Sequence, residues 1–99
     1  MDKSDIKKQI EALAGKKTAG MYQSDFLLTW DKSDDEIAAT LITAEILRAM
    51  REGNLSCRGF DSGLAVSIFR DHSTRTRFSF AGAADLLGLA VQDLDEEKS

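Results

Sequence analysis

Proline is missing from this 99-residue chain, and cysteine, histidine and tryptophan occur once each. With Cys57 alone, an intrachain disulfide is excluded, and so are metal sites of the multi-cysteine kind. A reducing compartment fits that usage. Positive charge is also in short supply: 13 Lys and Arg stand against 17 Asp and Glu, a formal net charge of −4. That balance argues against general attraction to nucleic acid or to an anionic membrane surface. Any anion site must therefore be local and work against the average field of the chain. Aromatics make up 7% of the residues and do not interleave with basic ones, which further disfavours a nucleic-acid role. No apolar run is long enough to span a bilayer. The opening MDKSDIKKQI is charged from its second residue and lacks the apolar core of a secretory signal. A cytoplasmic protein is expected.

What is present is ordinary for a globular chain: 42% hydrophobic and 30% charged residues, with Ile, Leu, Val and Phe recurring in blocks. The length suffices for one small domain with a high ratio of surface to volume. Lack of proline is unusual for a complete enzyme domain. In addition, the acidic residues 93–99 follow directly on an apolar segment, with no closing helix or covering strand. The ending reads as a chain stopped in mid-architecture, the alternative being a charged, solvated tail.

Ile6, Ile10 and Leu13 recur at helical spacing and predict a helix over about 4–14, with Gly15 as its stop. Residues 16–20 read as a loop. Phe26 to Trp30 is a short apolar run, extended or a helical turn, whose Phe26 and Trp30 are expected to be packing anchors. Ser33-Asp34-Asp35-Glu36 has the form of a capping box, and its acidic residues suit the positive end of a helix dipole. A helix over about 34–51 follows. Ile37, Leu41, Ala44 and Leu47, with Ala38, Ile42, Ile46 and Met50 beside them, give it a wide apolar face. The period then changes. Residues 64–69, Leu-Ala-Val-Ser-Ile-Phe, read as a strand covered on both faces. A helix over about 75–87, closed by Gly88, and a strand over about 89–94 complete a parallel βαβ unit with a right-handed crossover. The expected class is α/β: two N-terminal helices, then βαβ, in one partial domain spanning 1–99.

Chemistry concentrates in Ser73-Thr74-Arg75-Thr76-Arg77. The segment leaves the C-terminal end of a strand and enters the N-terminus of a helix, the edge at which open α/β sheets bind ligands. Amides at a helix start, with the dipole behind them, favour an anion. Ser73, Thr74 and Thr76 add hydroxyl donors, and Arg75 adds a planar fork that matches two phosphate oxygens. With no glycine and no lysine, the segment is a poor cradle for a nucleotide polyphosphate. Spacing alone leaves a second reading open, in which these residues are ordinary helix caps and solvated arginines.

Residues 67–80, Ser-Ile-Phe-Arg-Asp-His-Ser-Thr-Arg-Thr-Arg-Phe-Ser-Phe, resemble the signature of the aspartate and ornithine carbamoyltransferase family. That family has an apolar strand ending in Phe, then Ser-Thr-Arg-Thr-Arg, then a helix opening with a Ser-Phe pair. The likeness extends upstream to Asp25-Phe26-Leu27-Leu28 and downstream to Ala84-Asp85-Leu86-Leu87-Gly88. It covers most of this chain but only the opening portion of a family member, the N-terminal part of a carbamoyl-phosphate-binding domain. The resemblance implies that Ser73, Thr74, Arg75 and Thr76 hold the phosphate of carbamoyl phosphate. Arg75 would neutralise charge growing on the leaving phosphate, Thr76 would reach toward the carbamoyl oxygen, and Arg77 would buttress the loop through ion pairing. It further implies catalysis without metal, cofactor or covalent intermediate. The implied reaction is carbamoyl transfer to an amino group of a small amino acid or related amine, in a full-length homotrimer with shared active sites.

The chain departs from the family pattern just after the strand. Arg70 stands where an acidic residue is usual, and Asp71 and His72 where a lysine or proline is common, which puts the amine specificity in doubt. A second arginine, a His-x-x-Gln segment and the amine-binding second domain are not in this sequence, so the fragment alone is expected to be inactive. His72 reads as a solvated loop residue, with a pH-sensitive contact as the lesser reading. Cys57 reads as an ordinary small residue, and Asp93, Asp95, Glu96 and Glu97 as a solvated acidic run. The competing function is a non-catalytic assembly or partner-binding module built on the two N-terminal helices.

Overall fold

A computed structural model describes residues 3–70 and 73–95. Asp71 and His72, two of the three departures from the family pattern, lie outside the described residues, as do Glu96 and Glu97. The chain forms two compact units, Met1–Leu55 and Ser56–Ser99.

The first unit is a helix pair. Helix α1 covers Lys3–Ala14, and helix α2 covers Asp34–Glu52. Ser33 starts α2 as expected from its spacing: its hydroxyl accepts from the Glu36 amide at 3.1 Å, while the Glu36 carboxylate accepts from the Ser33 amide at 2.8 Å. Asp35 reaches back to accept from the Lys17 amide at 2.9 Å, which ties the connecting loop to the helix start. The core is one cluster of Ile6, Ile46 and Ala49, with Leu13, Ile42 and Met50 packed on it. Positions 39, 42, 46, 49 and 50 fall on one stripe of a 3.6-residue helix, and 37, 41 and 44 fall on the opposite side. The wide apolar face expected for α2 is thus two stripes. Only the first is buried, and Leu41 is 63% exposed.

Between the helices the chain makes two single 3-10 turns, Ala19–Met21 and Thr29–Asp31. The Phe26 to Trp30 run is irregular until the second turn. Trp30 is 77% exposed and Phe26 is half-exposed under the Lys32 ammonium, so neither anchors a core here. A run with no regular backbone period presents no continuous apolar face, which is why these rings lack a shared surface to pack on.

The second unit is strand β1 (Leu64–Phe69), helix α3 (Thr74–Leu87) and strand β2 (Ala90–Asp95), with the strands paired in parallel. This is the βαβ unit of the α/β class. Helix α3 ends in a Schellman motif: Gly88 takes φ 97°, its amide donates to Asp85, and the Leu89 amide donates to Ala84. A Cβ at position 88 would also run into the Phe60 carbonyl, so glycine is required twice over. Strand β1 departs from the expectation of two covered faces. Side chains alternate along a strand; Ala65, Ser67 and Phe69 are shielded on one face, and Leu64, Val66 and Ile68 are exposed on the other. Helix α3 packs on both strands and covers one side of a two-stranded sheet.

Candidate anion site at the start of helix α3

Strand β1 ends at Phe69, and α3 starts at Thr74 with Ser73 as its N-cap. The motif therefore occupies the N-cap and the first turn: Thr74, Arg75 and Thr76 are the first three helical residues. The ladder of α3 opens with the Arg77 amide donating to the Ser73 carbonyl at 3.1 Å. Amides before that rung have no intrahelical acceptor. The Ser73 side chain caps none of them. Its hydroxyl instead shares a 2.9 Å hydrogen bond with the Thr76 hydroxyl, so two of the motif's hydroxyls are held together at the mouth of the turn. No acidic residue lies in the first turn.

The two arginines have different surroundings. Residues two positions apart on a helix are separated by about 200° of rotation, so their side chains leave on opposite sides. Arg75 is exposed, and among the described residues its guanidinium has no side-chain partner. Arg77 turns to the sheet. Its Nη1 donates to Asp93 Oδ2 at 3.3 Å, and its guanidinium carbon lies 5.6 Å from the centre of the Phe69 ring. The other Asp93 oxygen, Oδ1, accepts from the buried Ser67 hydroxyl at 2.9 Å. Ser67 and Asp93 are direct partners in the parallel register, which brings these two side chains together on the face under α3. A cavity of about 330 Å³ opens beside this cluster, lined by Ser67, Thr74, Arg77, Phe78, Ala81, Val91 and Asp93.

A larger hollow of about 720 Å³ lies in the first unit between α1, the first 3-10 turn and α2. It is lined by apolar and hydroxyl side chains with Lys16 as its one charged group, and no carboxylate, histidine or cysteine lines it. Size does not decide in its favour, because nothing there converges on a ligand. Among the described residues, no three His, Cys, Asp or Glu side chains converge on a point.

Asp93 and Ser67 are the residues that sequence reasoning missed. Asp93 reads there as the first member of an acidic tail, and Ser67 as one position in an apolar strand. Only the strand register joins them, across 26 residues.

The fold and the motif define a class. Residues 24–99 match the family model described as aspartate/ornithine carbamoyltransferase, carbamoyl-P binding domain, and the chain belongs to that family. Among curated proteins it is similar to those named "Putative carbamoyltransferase YgeW" in Escherichia coli strains K12, O6:H1 and O157:H7. Each is 55% identical over 82 residues, covering 83% of this chain and 21% of the relative. The chain thus spans about a fifth of the length of the curated relatives it matches. No helix among the described residues is long and apolar enough to cross a membrane.

Proposed function

We propose that this chain supplies the phosphate grip of a carbamoyltransferase acting on carbamoyl phosphate and an amino group of a small amino acid or related amine. Ser73, Thr74, Arg75 and Thr76 bind the phosphate, and Arg75 is the catalytic group. In the reaction, the amine lone pair attacks the carbamoyl carbon, the bond from that carbon to the phosphate oxygen breaks, and phosphate leaves as the amine gives up a proton. Negative charge then grows on the phosphate, where a fixed guanidinium is worth most. Thr76, by the resemblance to the family, reaches toward the carbamoyl oxygen of the same ligand. The amine-binding residues lie outside this chain, so the chain alone binds and does not turn over. The complete enzyme is a cytoplasmic homotrimer.

One observation carries this reading: an arginine stands exposed in a helix first turn that holds no acid and is not capped by its own serine. A cation there opposes the helix dipole, at a cost of about 0.3–1 kcal/mol. A bound phosphate reverses that sign, since it attracts both the amides and the guanidinium.

The test is a titration of the chain with inorganic phosphate and with carbamoyl phosphate, followed by the amide resonances of Ser73 to Arg77. Both ligands should shift those amides and leave α2 unmoved. Arg75→Ala removes a charge-assisted contact of about 1.5–3 kcal/mol, so affinity should fall roughly tenfold to a hundredfold. A folded chain that shows no response would instead favour the assembly module. That reading draws on the apolar side chains that the two N-terminal helices leave exposed, Ile10 and Leu41.

A further inference from the structure

We infer that Asp93 is a positioning residue for the anion site, setting the first turn of α3 through Arg77; this rests on the phosphate reading above. Three contacts support it. Asp93 accepts from Arg77 with one carboxylate oxygen and from Ser67 with the other. Its strand position is fixed by the register opposite Ser67. The third contact is the Phe69 ring beneath the Arg77 guanidinium, at the last residue of β1. The carboxylate thus joins both strands to the first turn of α3, on the side opposite Arg75.

The consequence is a division of labour between two cations that sequence alone does not separate. Arg77 follows Arg75 by two residues, and both carry the same planar fork of donors. An unanchored Arg77 could swing toward an anion at the helix start and compete with Arg75 for its oxygens. Asp93 holds it to the sheet and balances its charge, so that Arg75 is left to face the ligand. Asp93 touches no ligand itself; it fixes the angle at which the first-turn amides and Arg75 meet one.

Asp93→Asn keeps an acceptor for Ser67 and nearly the same volume, and removes the charge that pairs with Arg77. Asp93→Glu keeps the charge on a longer stem. The 99-residue chain and both variants are titrated with inorganic phosphate, with hydrogen exchange at Thr74 to Arg77 read in the ligand-free state and a urea midpoint for each. A half-exposed ion pair predicts roughly a threefold to fivefold weaker phosphate affinity for Asp93→Asn. Exchange at Thr74 to Arg77 should be faster, and Asp93→Glu should recover part of both effects. The affinity loss should also vanish when Arg77→Gln is already present, because Asp93 acts through that side chain. Equal affinity and equal exchange in Asp93→Asn would overturn the inference, as would an affinity loss that persists in the Arg77→Gln background. If the unsubstituted chain binds no phosphate at α3, the phosphate reading fails on its own. The clamp on α3 is then judged by exchange: faster exchange in Asp93→Asn upholds it, and unchanged exchange overturns it.

Discussion

Helices α2 and α3 both start at a serine, and the two starts are built to opposite ends. At α2, Ser33 and Glu36 satisfy each other's amides, and three acids, Asp34, Asp35 and Glu36, fill the first turn. That start is closed, and its dipole is answered from within. At α3, Ser73 has nearly the same φ but a ψ of 94° in place of 163°. Its hydroxyl meets that of Thr76 instead of a backbone amide, and the charged residues that follow are Arg75 and Arg77. One serine completes a helix. The other leaves the first-turn amides without a cap from its own side chain, as the proposed phosphate grip requires. A helix N-terminus becomes a site by what its own sequence withholds, and the comparison of these two starts makes that measurable.

The largest expected effect comes from closing the open start. Ser73→Asp places a carboxylate where it can cap the first-turn amides and pair with Arg75. Helix α3 should gain about 0.5–1 kcal/mol, the usual worth of a good cap plus a favourable dipole contact. Phosphate affinity should drop by roughly a hundredfold or more, since a like charge a few ångströms from the ligand costs several kcal/mol near a protein surface. Stability and binding should move in opposite directions, read by urea midpoint and phosphate titration on the same sample. A variant that binds phosphate as well as the unsubstituted chain would erase the distinction between the two starts.

A smaller effect separates the two serines directly. Ser33→Ala breaks a reciprocal cap and should cost about 1 kcal/mol of stability in the helix pair, with phosphate binding unchanged. Ser73→Ala removes a hydroxyl that caps no amide, so its urea midpoint should move by only a few tenths of a kcal/mol. Its phosphate affinity should weaken severalfold, the worth of one neutral hydrogen bond of about 0.5–1.5 kcal/mol. The pair of variants thus exchanges which property suffers. Equal stability losses in both would mean that the α3 start is capped after all.

The closed start could be read from sequence because its cap is local: three residues of spacing determine which groups can meet. The same locality made the Ser73 to Arg77 segment recognisable as a strand-to-helix passage with donors. What escaped was non-local. Helix α2 is apolar on two sides, and nothing in its own sequence says that Ala39, Ile42, Ile46 and Ala49 face inward while Leu41 does not. That choice belongs to Ile6 and Leu13 of another helix. The covering of β1 failed for a related reason, since an apolar run records the capacity to be buried on both faces and not the presence of a second layer. Asp93 is the sharpest case. Its meaning depends on the register that sets it opposite Ser67, and on a helix rotation that turns Arg77 and not Arg75 toward it.

The finest test of the comparison is pH, because the closed start alone carries a carboxylate within its first turn. The hydrogen bond from the Ser33 amide holds the Glu36 carboxyl below its ordinary value; desolvation opposes it, and the Ser33 hydroxyl and the Lys32 charge add smaller lowering effects. A carboxylate with a depressed folded-state pKa stabilises the fold fully above its unfolded-state value, and that contribution is lost as the pH falls through the folded-state value. The start of α2 should therefore loosen in mild acid, seen as faster amide exchange at Ser33 to Ile37 as the pH drops below the usual glutamate range. Glu36→Gln retains a side-chain oxygen that can accept from the Ser33 amide but cannot titrate, so exchange there should lose that acid sensitivity. The α3 start, with no acid in its first turn, supplies the internal control: its exchange should show no matching step from its own first turn. A step of equal size at Thr74 to Arg77 would mean that the two starts do not differ in this respect.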